Sequence, residues 1–137
     1  MGRILSIDYG LKRTGIAVTD PLKIIATGLT TVETQVLMPF LKEYTSKELV
    51  ELVIIGMPVN LDDSDTHSTR MVRRFIGGFK KNFPDIPITE VDERFTSKLA
   101  SRAMVEMGMK KKQRRNKAMV DEIAATMMLQ EYLQQNF

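Results

Sequence analysis

Three acidic positions in this chain have neighbours that suit them to chemistry. The run Ile4-Leu5-Ser6-Ile7-Asp8 is apolar and strand-like, ends on a single aspartate and turns through Tyr9-Gly10. The run Ile88-Thr89-Glu90-Val91 ends on the acidic pair Asp92-Glu93, followed by Arg94. Asp121 shares one helix face with Ala124, Ala125, Met128 and Tyr132, at i, i+3, i+4, i+7 and i+11. Each has a bland reading: Asp8 as a turn-former, Asp92-Glu93 as an exposed charged turn, and Asp121 as a charge beside a helix N-terminus. The dipole reading fits an exposed position equally well, so it does not explain an acid on an apolar face. Two strand ends and one helix start can converge at the same edge of an α/β sheet, and carboxylates brought together are costly unless a cation neutralises them. Hard oxygen ligands of this kind suit Mg2+ or Mn2+. Such an ion polarises a phosphoryl oxygen, lowers the pKa of a bound water and offsets charge on the leaving oxygen, which is the chemistry of phosphodiester hydrolysis.

A second cluster has the opposite sign. Lys110-Lys111-Lys112-Gln113-Arg114-Arg115-Asn116-Lys117 holds six of the 20 basic residues in a chain whose net charge is only +3. A charge run is commonly a solvated loop. This one immediately precedes the helix carrying Asp121, where Lys110, Lys111, Lys112, Arg114 and Arg115 can hold a phosphate backbone through sequence-independent contacts. RNA or DNA is therefore the expected partner. His67, the single histidine, titrates near neutrality in principle, but its place in Asp65-Thr66-His67-Ser68-Thr69 reads better as a helix-start residue. Tyr9 and Phe95 could stack on bases; packing beside the strand ends is the stronger expectation.

The elements that must position these residues follow from periodicity and turn signals. Ile4–Ile7 and Gly15–Thr19 read as an opening hairpin, and Ile24–Thr31 as a third strand after the Asp20-Pro21 turn. Val36, Leu37, Phe40, Leu41 and Tyr44 recur at helical spacing, and Pro39 means that the helix either starts near it or bends there. Leu49–Gly56 is nearly continuous in apolar residues, as expected of a strand buried on both faces at the centre of a parallel sheet. A polar loop over 60–65 leads to a helix with Val72, Phe75, Ile76, Phe79 and Phe83 inward. After Pro84 and Pro87, Ile88–Asp92 reads as a fifth strand. Thr96 caps a short helix with Leu99, Ala103 and Met107 inward and Gly108 as its stop, and Asn116 caps a last helix running to about Gln134. In that helix Glu122 projects toward the more mixed side, with Thr126 and Leu129. The order predicts an α/β fold: a five-stranded mixed sheet, three antiparallel strands then two βα units, with helices on both faces.

Bulk properties agree with this reading. At 137 residues the chain is expected to be a single domain spanning 1–137. A composition 43% hydrophobic and 27% charged is that of an ordinary globular protein. The absence of cysteine excludes disulfides and thiolate metal sites, and no basic-then-apolar leader is visible, so a cytoplasmic location is expected. No apolar run approaches the roughly 20 residues needed to span a bilayer.

Four motifs together resemble a known family. Ile7-Asp8-Tyr9-Gly10 with Gly15-Ile16-Ala17, Ile54-Ile55-Gly56-Met57-Pro58, Val91-Asp92-Glu93-Arg94-Phe95-Thr96-Ser97, and Val120-Asp121-Glu122-Ile123-Ala124-Ala125 look like the YqgF/RuvX family. They occur in the family's order and extend from the first strand to the last helix. The resemblance implies an RNase H-like fold similar to the Holliday-junction resolvase RuvC. It also implies a nuclease that matures the 5′ end of pre-16S rRNA in ribosome biogenesis, with a resolvase-like action on branched DNA or a non-catalytic RNA-binding assembly role as alternatives. Its acidic triad falls on Asp8, Glu93 and Asp121 as catalytic, metal-holding residues, with Arg94 and Thr96 as nucleic-acid contacts and Mg2+ as the metal. One departure from the RuvC pattern stands out: Gly56-Met57-Pro58-Val59-Asn60 carries no acid where RuvC-like nucleases are expected to have a glutamate. The middle ligand must then come from the fifth strand, where alternation allows only one of Asp92 and Glu93 to face the site. Asp8-Tyr9-Gly10 and Gly15 also resemble the phosphate-binding hairpin of actin-like ATPases. Those proteins close two such lobes around a nucleotide and this chain has one, so no nucleotide cofactor is expected.

Overall fold

The first two strands, β1 (Arg3–Asp8) and β2 (Arg13–Thr19), form the expected hairpin, with Ile7 opposite Ile16 and Asp8 opposite Gly15. The computed structural model describes residues 2–58, 67–92 and 117–136. β3 (Ala26–Glu33) adds antiparallel to β2, while β4 (Val50–Met57) pairs parallel to β1 and β5 (Ile88–Asp92) parallel to β4. The sheet order is β3-β2-β1-β4-β5. This is the expected mixed sheet, with one adjustment: β1, not β4, is the central strand, because the hairpin strands extend the sheet on one side of β1 and the crossover strands on the other. β4 is still interior, and Val53 to Met57 are buried without interruption.

Among the described residues three helices cover the sheet. α1 (Leu37–Lys47) follows a single 3-10 turn over Thr34–Val36, and its Pro39 lies in the first helical turn, where the missing N–H removes no helical bond. α2 (His67–Asn82) presents Val72, Ile76 and Phe79 inward. With α1 it buries one face of the sheet, in a core that includes Leu5, Ile7, Ile16, Val18, Val53 and Ile55. α3 (Lys117–Asn136) covers the opposite face, packing Ala125, Met128, Leu129 and Leu133 on Ile4, Ala17 and Ile54. Leu129 is therefore core, not part of the mixed side: the inward stripe is wide enough to take 125, 128, 129 and 133 together.

β3 begins two residues later than its apolar pattern suggested. Ile24 and Ile25 are 67% and 63% exposed, because the Asp20 carboxylate collects the backbone N–H groups of Leu22, Ile24 and Ile25 into a closed turn in which Lys23 has a φ of 60°. The short helix expected after Thr96, the 110–116 part of the basic run and the loop over 60–65 lie outside the described residues.

Candidate active site

The pleat determines which side chains of the sheet can meet α3. Ile4 of β1 packs under α3 and Leu5 and Ile7 on the opposite face, so alternation puts Asp8 on the α3 face, at the carboxyl end of the central strand. On β2 the same face carries Arg13, Gly15 and Ala17. Register aligns Asp8, Gly15 and Thr31 as one row across β1, β2 and β3.

The start of α3 lies on that row. The backbone of Asp121 comes so close to Gly15 that a Cβ there would overlap the Asp121 carbonyl, so only glycine permits this approach. Thr31 Oγ1 donates to the Ala118 carbonyl at 2.6 Å, fixing the first turn of α3 over β3. The Glu122 side chain packs over Gly28, where a β-carbon would again collide. The sheet thus fixes Asp121 in both depth and rotation, beside the row on which Asp8 sits. Asp121 is the fifth residue of α3, and the first turn holds no acid, so dipole compensation does not account for it.

Asp121 Oδ2 accepts a hydrogen bond from Arg13 Nε at 3.3 Å, with the side chains 27% and 36% exposed respectively. Sequence reasoning gave Arg13 no role. The signal that would have found it is period two: Arg13 continues the stripe of Gly15 and Ala17, whose small side chains let α3 approach.

Asp92 ends β5 and alternates with Val91, which packs against the α3-side core, while Ile88 packs on the other face. Alternation directs Asp92 away from Val91, yet at the sheet edge it also borders a cleft with Met128, Glu131, Tyr132 and Gln135 of α3. Glu93, Arg94, Phe95, Thr96, Lys110, Lys111, Lys112, Arg114 and Arg115 lie outside the described residues. Lys117 and His67 are the first residues of α3 and α2, and their side chains lie outside the described set. Among the described residues no group of three acids or histidines is placed to hold a metal ion; of the expected triad, Asp8 and Asp121 are described and Glu93 is not.

The neighbouring turn is built for rigidity. Tyr9 packs its ring on Phe75 of α2 at a centroid distance of 5.2 Å and leans on the α1–α2 core, so it behaves as a packing residue. Burial raises its pKa, against a smaller lowering by the Arg74 guanidinium, so the phenol stays protonated at neutral pH. Thr34 Oγ1 donates to the Gly10 carbonyl at 2.6 Å, and the Thr34 N–H to the Lys12 carbonyl at 2.9 Å. Thr69, in the first turn of α2, donates to the Pro58 carbonyl and ties the end of β4 to that helix.

A family profile described as a RuvX Holliday junction resolvase matches residues 2–135. The chain belongs to the RuvX family. Relatives named as candidate pre-16S rRNA nucleases include one from Flavobacterium psychrophilum, 56% identical over 133 residues that cover 97% of both chains. Another, from Bacteroides thetaiotaomicron, is 53% identical over 134 residues, covering 98% of this chain and 97% of the relative. Among solved structures, RuvC of T. thermophilus in complex with a Holliday junction substrate superposes with a TM-score of 0.55 at 15% identity, covering 99% of this chain and 97% of RuvC. At that identity the likeness shows the fold, which is RNase H-like, as the RuvX motifs implied.

Proposed function

We propose that this RuvX chain is a divalent-metal-dependent endonuclease acting on pre-16S rRNA in 5′-end maturation, in the cytoplasm, as one domain over residues 1–137. The observation that carries the reading is the row Asp8–Gly15–Thr31 beneath the start of α3: Asp8 pairs with Gly15 at a strand end, and the backbone of Asp121, from a remote part of the chain, lies against that same glycine. Strand ends are where open α/β sheets bind ligands.

Asp8 and Asp121 suit Mg2+ or Mn2+ by donor chemistry: both are oxygen ligands, both lie on the α3 face, and Asp121 already has a cationic group, Arg13, against it. Glu93 is the third ligand in this reading. β4 carries no acid at its carboxyl end, and alternation past Val91 favours position 93 over Asp92. β5 stands two strand spacings, about 10 Å, from β1, a gap that a glutamate bridges better than an aspartate. When bound, the metal supplies Lewis-acid polarisation of the scissile phosphate and an acidified water. The protein's own residues do the positioning. Gly15 and Thr31 fix Asp121, the antiparallel pair with Gly15 fixes Asp8, and Arg94, Thr96, Lys110, Lys111, Lys112, Arg114 and Arg115 hold the phosphate backbone. Because these contacts read backbone and not base, branched DNA is the competing substrate, and the RuvX and RuvC likenesses keep it in the test.

Purified wild-type and Asp8→Asn proteins are incubated with pre-16S rRNA and with a DNA four-way junction, with Mg2+ and with chelator. Wild type cleaves the rRNA in Mg2+ and stops in chelator, and Asp8→Asn loses at least about a hundredfold in rate while keeping its circular dichroism spectrum and RNA affinity. Preferential cleavage of the junction transfers the assignment to DNA. RNA binding without cleavage of either substrate makes the chain an assembly factor.

A further inference from the structure

Arg13 faces two environments. On one side Nε donates to Asp121 Oδ2 at 3.3 Å. On the other, Arg13 borders a cleft of about 490 Å³ whose described lining also includes Leu11, Lys12, Glu33 and Gln35. Glu33 is engaged there by Gln35 Nε2 at 2.9 Å. The Arg13–Asp121 pair has 36% and 27% of its side chains exposed, and pairs this open add little to stability. It is easily exchanged.

We propose that Arg13 is a positioning residue that changes partners during the reaction: it neutralises Asp121 in the metal-free protein. Once that carboxylate ligates a divalent cation, Arg13 turns into the cleft, where with Lys12 it holds a phosphodiester oxygen of the nucleic acid. The inference rests on the metal-dependent nuclease reading. A guanidinium and a dication compete for the same oxygens and repel each other, so occupancy of one displaces the other. The displaced group is suited to its new partner, since a planar guanidinium matches phosphate oxygens in pairs. The cleft falls within the roughly 300–1,000 Å³ typical of ligand sites, and Lys12 brings a second positive charge to it.

The test is calorimetric titration of Mn2+ into metal-free wild type, Arg13→Gln and Arg13→Lys, followed by the salt dependence of each protein's binding to an RNA hairpin in Ca2+. Arg13→Gln binds Mn2+ about three- to tenfold more tightly, because a competitor has gone. Its RNA affinity falls, and its log–log salt slope becomes shallower by about 0.7–0.9, one phosphate contact. Arg13→Lys keeps the wild-type slope. A purely structural role predicts the reverse for metal, since loosening Asp121 weakens the site. Unchanged or weaker Mn2+ binding by Arg13→Gln, or an unchanged slope, overturns the exchange alone. Failure of wild type itself to bind Mn2+ overturns the nuclease reading and the exchange with it.

Discussion

At the scale of single residues, one glycine matters to the site as much as the acids do. Gly15 is opposite Asp8 in the hairpin and beneath the Asp121 backbone, so any side chain there must push the start of α3 away from the strand that carries the other carboxylate. Gly15→Ala is expected to cost about 1–3 kcal/mol by overpacking. It should also weaken Mn2+ binding, both read from melting curves with and without the ion. Gly77, where a Cβ meets nothing within 4 Å, is the control: Gly77→Ala should leave metal binding unchanged and modestly raise stability by removing a helix glycine. Asp8 and Asp121 were legible in the sequence because each breaks a local rule, an acid ending an apolar strand and an acid on an apolar helix stripe. Arg13 was not, because a basic residue after a turn breaks none; only the register and the helix above it give it a partner.

At the scale of elements, period and punctuation reveal most of the architecture. The continuous apolar run of β4, the apolar run of β1 and the helical stripe of α2 each formed an element of the expected type. The misplaced start of β3 has a specific cause: Ile24 and Ile25 are apolar, but the Asp20 carboxylate takes their N–H groups and holds them out of the ladder. Sequence patterning sees the isoleucines and not the cap. The bond from Ile25, together with those from Ile24 and Leu22, keeps the Asp20 pKa below its ordinary value. A depressed carboxylate contributes stability that is present above its unfolded value of about 3.9 and is lost as pH falls through the folded value. Asp20→Ala is therefore expected to lower the melting temperature at neutral pH and to flatten the acid limb of the stability profile. An acid limb identical to wild type would show that Asp20 does not close the turn. The exchange of β1 for β4 as central strand was illegible for a different reason: which edge a crossover strand joins is a property of the whole sheet and leaves no mark on the strand itself.

At the scale of the whole molecule, the two faces of the sheet divide the work. Among the described residues the α1–α2 face carries the larger apolar core, including Phe79 at 1% exposure, and holds the strands in place. The α3 face has the smaller core, with glycine and alanine on β2 letting the helix come close enough to bring its acid to the strand end. A metal ion bound at that face would stabilise the folded chain by mass action, by about 2.7 kcal/mol at a hundred times the dissociation constant. A Mg2+ or Mn2+ titration should therefore raise the melting temperature of wild type and leave that of Asp8→Asn nearly flat. If the basic run that precedes α3 in the chain holds the phosphate backbone, nucleic-acid affinity is steeply salt-dependent, and neutralising Lys110, Lys111 and Lys112 together should reduce the log–log slope by two to three contacts' worth without changing the melting temperature. The most direct test of the central claim is a crystal of wild type soaked in Mn2+ and examined by anomalous diffraction. The account predicts a peak shared by the Asp8 and Asp121 carboxylates with Glu93 completing the set and Arg13 turned away; an empty strand end, or manganese bound only elsewhere, would contradict it.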